Sequence, residues 1–409
     1  MDNISLRALF HANEQKWNSV YNALINSPMT HILDFNICPG NSQKQFPAFF
    51  YYTDELVKII TDILPDMNEL ADITKDIPPI AIDSFYRTCL IEEIKSSNDI
   101  EGVNSTRKEI SMALDEQGNI SASKNIRLWS KVNKYAKLQI KQDISFMNSK
   151  DLRIFYDDFI SDEIRRADPN NLPDGELFRK SPVEVWSKTK VIHHGIMPES
   201  NIIASMDKAL EILHDKEIPS LVRIAIYHYL FGYIHPFYDG NGRTSRFITS
   251  YYLSRVLSPL VAIRLSITIK KSLRIYYKLF SDTNSYGSRG DLTPFITGFL
   301  WLIQKSIIRV KAILKDKHQQ LNYYSELLNN SKTIDDKTDK SLCFVLLQAS
   351  LFSEDGATIY EIANTIGKND RTVRTHLFSL PEGYLIVNTN HRAHRYMLNL
   401  NKFPSMEIS

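Results

Sequence analysis

The sequence predicts a mainly α-helical protein with a small β-hairpin in its middle and a helix-turn-helix unit at its end. Apolar residues recur every three or four positions through most of the chain, most clearly at 54–67, 220–234 and 299–318. This spacing is typical of helices that bury one face. Two stretches, 183–197 and 384–398, instead contain β-branched residues and turn signals. Each of these is predicted to form a β-hairpin.

Composition is that of a soluble globular protein. The 409 residues suffice for two or three compact units, and 43% are hydrophobic and 23% charged, as is usual for folded proteins. With a formal charge of only +2, an anion must be bound locally. The three cysteines are widely spaced and suggest neither disulfides nor a metal site. Because no run could span a membrane and no secretion signal is present, a cytoplasmic setting is predicted.

The run HPFYDGNGRTSRF at 235–247 is the most informative stretch of the chain. Asn-Gly between apolar flanks can signal a hairpin, but the flanks here have helical spacing, which favours a loop between two helices. Gly240 and Gly242 would let consecutive backbone N–H groups turn towards one anion at the start of the second helix. Arg243 and Arg246 would add forked hydrogen bonds to phosphates. The run therefore predicts a polyphosphate site.

Two further residues of this run suggest chemistry on a bound nucleotide. A lone carboxylate facing a polyphosphate, here Asp239, normally requires Mg²⁺ between them. His235 lies at the other end of the loop and is the natural general base for an incoming hydroxyl. A P-loop sequence is absent, and Arg243 stands where an EF-hand would need an oxygen ligand. Attack on a nucleotide phosphate is the better interpretation.

The same residues resemble the HPFx[D/E]GNGRxxR signature of the Fic family, without a departure at any position. Members of that family most often transfer AMP from ATP to a Ser, Thr or Tyr hydroxyl of a target protein. The resemblance implies a Fic-type helical core in which His235 deprotonates the hydroxyl, Asp239 holds Mg²⁺ and Phe237 anchors the loop. The nucleotide-binding residues that it implies are Gly240, Asn241, Gly242, Arg243 and Arg246.

A second stretch, KSSNDIEGVNSTRKEI at 95–110, has two interpretations. The simpler one is a boundary between two helices. In that case Gly102 would end the first helix, and Asn104 or Ser105 would cap the second.

The other interpretation comes from the same resemblance. Ser97, Glu101 and Gly102 fit the [S/T]xxxE[G/N] inhibitory motif found in many Fic proteins. A carboxylate at Glu101 would then pair with Arg246 and keep this arginine from the γ-phosphate. The resemblance thus implies an autoinhibited enzyme whose inhibitory helix precedes the core.

The hairpin at 183–197 lies where Fic proteins carry a flap that pairs with an extended segment of the target. Docking of a target protein on this hairpin is therefore one expectation, and a purely structural hairpin covering the core is the alternative. After the signature, Tyr276 and Tyr277 are candidates for contact with adenine. Aromatic residues at helical spacing, however, more often belong to the core.

The last part of the chain resembles a winged helix-turn-helix domain, with Gly367 in the turn and 370–380 as the second helix. In a DNA-binding protein the following residues would face the nucleic acid: Arg371, Arg374, His376, Arg392 and Arg395. Nine basic and nine acidic residues balance between 331 and 409. Docking of a protein partner, or formation of a homodimer, is therefore an equally good expectation.

Together these features predict an N-terminal helical region with the inhibitory helix at 1–110, a Fic catalytic core at 111–328, a linker at 329–337 and a winged helix-turn-helix domain at 338–409. The leading hypothesis is a Mg²⁺-dependent protein adenylyltransferase that uses ATP and is autoinhibited by Glu101. Self-modification is left open, and no membrane partner is expected. The rival hypotheses are a nucleotide-sensing transcriptional regulator that binds DNA, and a Fic enzyme that uses another nucleotide or removes AMP.

Overall fold

The computed structural model describes residues 5–39, 42, 44–115, 126–187, 190–391 and 393–403. Helices account for most of these residues, and the strands within them form small sheets of two or three strands. The predicted mainly α-helical fold is confirmed. Arg392 lies outside the described residues, and no helix within them is long and apolar enough to cross a membrane.

The elements of the first half of the chain are, in order, α1 (Leu6–Ala12), α2 (Glu14–Ile25), β1 (Thr30–Ile37), β2 (Phe46–Tyr51), α3 (Asp54–Lys75), α4 (Pro79–Ile100), α5 (Arg107–Asp115), α6 (Ile126–Ala136), α7 (Ser149–Phe159), α8 (Ser161–Ala167), β3 (Glu184–Ser187) and β4 (Lys190–His194).

Those of the second half are α9 (Glu199–His214), α10 (Ser220–Ile234), α11 (Asn241–Val256), α12 (Pro259–Ala262), α13 (Leu265–Lys271), α14 (Leu273–Thr283), α15 (Thr293–Asn329), α16 (Lys337–Phe352), β5 (Ala357–Thr358), α17 (Ile359–Ile366), α18 (Asp370–Ser379), β6 (Leu385–Asn388) and β7 (Arg395–Leu398).

A β-hairpin near the N-terminus corrects the prediction of helices alone in that region. β1 pairs antiparallel with β2, and Thr30 lies opposite Tyr51. Leu33, Phe35 and Ile37 are buried and alternate with more exposed residues. That period of two is the pattern of a strand with one face on the core. The helical interpretation of this region overlooked it.

α10 and α11 form the centre of the fold. α10 packs against α9, α11 and α15, and most of its residues are buried. A helix surrounded in this way can be apolar on all sides, as its sequence SLVRIAIYHYLFGYI is. The loop at 235–240 joins these two helices, so its position is fixed by the core on both sides.

The C-terminal elements pack against the rest of the molecule. α16 contacts α4 and α15, and the last three strands form a sheet in the order β5-β7-β6. In the segment between α15 and α16, Ile334 is only 2% exposed, so this part of the predicted linker is itself packed. The domain boundaries and the winged-helix assignment stay predictions.

Two basic residues expected on a DNA-binding surface are engaged elsewhere. Arg395 is 3% exposed and donates to Asp115 of α5 and to the Gly356 carbonyl, at 2.7 and 3.1 Å. The prediction that Arg395 contacts phosphates is therefore wrong, because its guanidinium is buried against α5. His376 lies 2.8 Å from Asp339 in α16. Arg371, by contrast, is exposed.

Candidate active site

The loop between α10 and α11 is bounded by two residues with left-handed backbone conformations. His235 follows α10 with φ 51°, and Gly240 precedes α11 with φ 82°. Glycine adopts such angles without steric cost, whereas histidine does so only when its surroundings hold it there. The loop is therefore a fixed reversal of the chain that brings His235 and the start of α11 into one cavity.

Phe237 and Asn241 hold the inside of this loop. Phe237 is fully buried and stacks on Tyr156, with ring centroids 3.6 Å apart. The Asn241 side chain accepts from the Phe237 N–H at 3.0 Å and donates to its carbonyl at 2.7 Å. Asn241 thus closes the loop on itself. Phosphate binding by its side chain stays a prediction, and its backbone N–H lies in the first turn of α11.

Arg179 supports the loop from behind, and sequence reasoning did not select it as a site residue. It is 0% exposed, and its guanidinium donates to the carbonyls of His235, Ser181 and Ile196, each at 2.9 Å. Backbone carbonyls thus take the place of a carboxylate partner for these donors. Burial lowers the pKa of Arg179 to about 10. Because Ser181 and Ile196 flank the β3–β4 hairpin, Arg179 fixes the hairpin and His235 relative to each other.

The imidazole of His235 is neutral at ordinary pH. Burial is the main cause that lowers its pKa to about 4. Its Nδ1 lies 3.3 Å from the Gly232 carbonyl. The tautomer protonated on Nδ1 can donate to that carbonyl, which leaves the Nε2 lone pair available to accept a proton.

Arg243 points away from Arg246, although both were expected to grip phosphates. The Arg243 guanidinium is buried between Glu163, at 2.5 Å, and Asp239, at 2.7 Å. Glu163 also accepts from Lys131 at 2.7 Å. Sequence reasoning missed Glu163 and Lys131, because they lie on α8 and α6, far from the loop in sequence. Phosphate contact by Arg243 stays a prediction, and it would require Arg243 to exchange some of these partners.

Arg246 is bound to the second predicted motif. It is 1% exposed, and its Nη1 lies 2.7 Å from Glu101 Oε1. Its Nε donates to Ser97 Oγ at 3.1 Å, and its Nη2 donates to the Ser97 carbonyl at 2.8 Å. Residues that are distant in sequence are thus joined as the resemblance implied.

Glu101 also lies against the first turn of α11. A Cβ atom at Gly242 would be 2.1 Å from Glu101 Oε1 and 2.8 Å from Arg246 Nη1. Only glycine therefore leaves room for this carboxylate. The N–H groups of a first helical turn have no intrahelical acceptor, and the positive end of the helix dipole favours an anion there. Glu101 thus places a negative charge where the sequence predicts phosphate.

The end of α4 fixes the backbone of Glu101. Gly102 has φ 71°, and its N–H donates to the Asp99 carbonyl at 3.2 Å. The Val103 N–H donates to the Asn98 carbonyl at 3.0 Å. These two bonds form a Schellman motif, in which Glu101 is the C-cap residue that follows the helix and Gly102 takes the left-handed position. The simpler interpretation of this stretch as a helix boundary is therefore also correct.

The helix after this boundary is capped one residue later than the sequence suggested. Thr106 Oγ1 accepts from the Glu109 N–H at 3.2 Å, and a Glu109 carboxylate oxygen accepts from the Thr106 N–H at 2.8 Å. This reciprocal pair is a capping box. Ser105, which was a predicted cap, instead accepts from the Asn98 side chain at 2.9 Å.

A cavity of about 370 Å³ lies in front of the loop. Its lining brings together predicted site residues and several that were not predicted: Glu101, His235, Gly242, Arg246, Tyr276, Tyr277, His228, Ser245 and Asn284. Tyr276 donates to or accepts from His228 Nε2 at 2.8 Å and is mostly buried, whereas Tyr277 is 39% exposed. The aromatic side of the cavity is suited to an apolar or planar group, and the loop side to an anion.

The loop fits a magnesium ion that takes most of its ligands from a substrate. Asp239 is partly exposed, and its Oδ1 accepts from the Gly240 N–H and from Arg243. The other carboxylate oxygen, Oδ2, makes no hydrogen bond with the described residues. Mg²⁺ commonly binds one or two carboxylates plus phosphates and waters. Among the described residues, the group of three potential metal ligands that lie close together is Asp336, Asp339 and His376, at the start of α16 and in α18, not in this loop.

The hairpin beside the loop is the predicted flap. β3 and β4 pair antiparallel with a register shift between Val185 and Trp186. Glu184 and Val185 of β3 line the cavity. His193 contacts α10, since its Nε2 lies 2.5 Å from the Tyr233 carbonyl. Docking of a target protein on this hairpin stays a prediction.

The fold and the loop together define a helical domain with a cavity of about 370 Å³ at the start of a central helix. Residues 147–253 match the sequence model described as Fic/DOC family, and the chain therefore contains a Fic domain. This range covers the loop but begins after Glu101.

Two curated proteins are similar to the chain. It is 27% identical over 265 residues to a protein adenylyltransferase Fic of Nematostella vectensis, across 63% of this chain and 56% of that protein. It is 23% identical over 291 residues to a protein adenylyltransferase fic-1 of Caenorhabditis elegans, across 68% of this chain and 52% of that protein. The chain thus spans about half the length of these relatives.

A solved structure has the same fold. The crystal structure of a Fic family protein from Desulfovibrio desulfuricans G20 aligns with a TM-score of 0.51 and 19% sequence identity. The alignment covers 85% of this chain and 97% of that structure.

Proposed function

We propose that the chain is a protein adenylyltransferase, which transfers AMP from ATP to a hydroxyl group of a target protein. The observation that carries this proposal is the meeting of a neutral histidine, a helix N-terminus and the buried Arg246 around one cavity. The names of the two curated relatives support the same activity. The aromatic lining at Tyr276 and Tyr277 offers a surface for adenine.

In the proposed reaction His235 Nε2 accepts the proton of the target hydroxyl. The hydroxyl oxygen attacks the α-phosphorus of ATP, the bond from this phosphorus to the bridging oxygen breaks, and pyrophosphate leaves. First-turn N–H groups of α11 at Asn241 and Gly242 would stabilise the charge on the α-phosphate. Arg246 would bind the terminal phosphates. Mg²⁺, held by Asp239 and the phosphates, would neutralise part of their charge.

We further propose that Glu101 inhibits this reaction. Its carboxylate pairs with Arg246 at 2.7 Å and lies over Gly242. A terminal phosphate would have to displace this carboxylate from Arg246 or share the space with a like charge. Both alternatives disfavour productive binding of ATP. We therefore expect the wild-type chain to transfer AMP only slowly.

The target is proposed to dock on the β3–β4 hairpin. Among the strands of the described residues, β3 and β4 pair only with each other, so each has an edge at which an extended segment could add as a strand. Arg179 holds this hairpin at a fixed distance from His235 through carbonyls on both sides. A hydroxyl on the added strand could therefore be presented to His235.

The test uses ATP labelled at the α-phosphate and a cell extract as the source of targets. Glu101→Gly should label proteins about tenfold or more strongly than wild type, because one charged hydrogen bond to Arg246 no longer competes. The double variant Glu101→Gly with His235→Ala should return labelling to background. Glu217→Gly is the matched control, since Glu217 is exposed in the turn before α10.

Three outcomes would contradict the proposal. Absence of labelling by Glu101→Gly, both of extract proteins and of itself, would argue against AMP transfer. Equal labelling by the double variant would reject His235 as the base. A rise in the Glu217→Gly control equal to that in Glu101→Gly would show that the effect of Glu101 is not specific.

A further inference from the structure

A second cavity lies between α4, α13, α15 and the turn that follows α16. Its volume is about 650 Å³, within the usual range for sites that bind small molecules. The charged groups that line it are mostly cationic: Arg107, Arg264, Lys270, Lys271, Arg309 and Lys317, against Glu92 and Glu354. This excess of positive charge contrasts with the formal charge of +2 for the whole chain.

The two acidic groups do not neutralise this lining. Glu92 and Glu354 both pair with Arg107. Lys270 pairs with Asp99 at 2.5 Å. The other four cations have no carboxylate within ion-pair distance among the described residues.

Arg264 is the most buried cation of the four that lack a carboxylate partner. It is only 7% exposed, and its Nη1 donates to Cys89 Sγ at 3.1 Å. Its buried Nε has no hydrogen-bond partner within the described part of the chain. A buried guanidinium that is left partly unsatisfied is costly. Arg264 also lines the cavity, so an anion bound there would lie beside its charge.

The neighbouring cations repel one another in the absence of such a ligand. Desolvation and the charges of Arg309 and Arg264 all lower the pKa of Lys271. Burial lowers the pKa of Lys317, whose ammonium donates to the Leu351 carbonyl. Like charges gathered in a cleft focus a positive potential there. Such a cluster is more typical of a ligand site than of a solvated surface.

We propose that this cavity binds a small, soluble polyanion that carries phosphate groups. Two guanidiniums and two ammonium groups match the several oxygens and multiple charges of such a ligand. The walls come from five separate segments of the chain, which suits a compact molecule and not an extended polymer. This site is separate from the loop at 235–240, and the proposal does not depend on AMP transfer.

The test measures binding of inorganic tripolyphosphate to the full chain by isothermal titration calorimetry. The double variant Lys271→Gln with Arg309→Gln removes two exposed cations of the cavity and should fold normally. We expect its affinity for tripolyphosphate to fall about tenfold or more. Lys315→Gln with Arg166→Gln is the matched control, because both residues are exposed and neither lines the cavity.

The control variant should bind tripolyphosphate as wild type does. Equal weakening in both double variants would mean a general charge effect and would overturn the proposal. Unchanged affinity in the cavity variant would mean that tripolyphosphate binds elsewhere, including at the catalytic loop, and would also overturn it. Citrate serves as a probe with carboxylates, and equal affinity for citrate would reject the phosphate class.

Discussion

At the scale of single residues, Arg246 is the group that ATP and Glu101 would share. Its guanidinium donates two hydrogen bonds to Ser97 and one to Glu101. The contacts to Ser97 leave the side chain in place whichever anion binds the remaining donor. Exchange of a carboxylate for a phosphate replaces one charged hydrogen bond by another of similar strength. The proposed inhibition can therefore be overcome by a change of a few kcal/mol.

The pKa of His235 leads to a prediction at the same scale. With a pKa lowered to about 4, chiefly by burial, the ring is neutral at any pH well above that value. Labelling by Glu101→Gly should therefore stay nearly constant down to a pH of about 5.5, although an ordinary histidine would be mostly protonated there. The charge of Glu101 raises the pKa of His235. In Glu101→Gly this charge is absent, so the pH at which His235 becomes protonated and labelling falls should be lower still.

The measurement is a single-turnover labelling rate at several pH values, with the melting temperature followed in parallel. A fall in rate centred near pH 6.5 without loss of folded protein would mean that His235 titrates as an exposed histidine. In that case burial does not keep the base neutral.

At the scale of elements, the C-terminal turn of α4 positions the inhibitory carboxylate. Gly102 has φ 71°, and a Cβ atom there would meet nothing within 4 Å. Gly102→Ala should therefore cost roughly 1 kcal/mol of stability through backbone strain alone. The turn at Gly102 holds Glu101 against Arg246. Because strain from alanine at this position should disturb this turn, we also expect labelling to rise above wild type.

Gly367 offers a matched control for this change. It ends α17 with φ 65° and also has open space around a Cβ atom. Gly367→Ala should lose about the same stability and leave labelling unchanged. Urea unfolding and the labelling assay, applied to both variants, separate the two effects. Equal labelling by both would show that the turn at Gly102 does not control Glu101.

Elements whose own sequence has a clear apolar period or clear turn residues could be predicted from the sequence. The helices at 54–67, 220–234 and 299–318 and the hairpin of β3 and β4 lie where apolar period and turn residues predicted them. The β1–β2 hairpin was missed because its alternation is short. At the site, Arg179 and Glu163 could not be found, since their roles come from tertiary contacts and their local sequence has no distinctive spacing.

At the scale of the whole molecule, α4 connects three regions. Its last turn carries Ser97 to Arg246, and its residues Cys89 and Ser96 line the cation-rich cavity. Its Glu93 is fully buried and accepts from the Ser266 N–H at 2.9 Å, at the start of α13. α16, the first helix of the C-terminal elements, also packs on α4. A ligand in the second cavity would therefore contact the same helix that precedes Glu101, the proposed inhibitory residue.

The contact of the C-terminal unit with α5 leads to the last prediction. Arg395 is 3% exposed and donates to Asp115 at 2.7 Å, and Asp115 also accepts from Arg87 of α4 at 2.8 Å. Arg395→Met should lower the free energy of unfolding by about 1–3 kcal/mol, because the Gly356 carbonyl loses a buried donor and Asp115 loses one of its two cations. Asp115 is 35% exposed, so water limits the loss.

Arg371→Met is the control, since Arg371 is exposed on α18. A surface change of this kind should stay within about 0.5 kcal/mol of wild type. Urea unfolding followed by circular dichroism measures both variants. If Arg395→Met unfolds at the same urea concentration as Arg371→Met, the pair between Arg395 and Asp115 does not stabilise the packing of the C-terminal elements on α5.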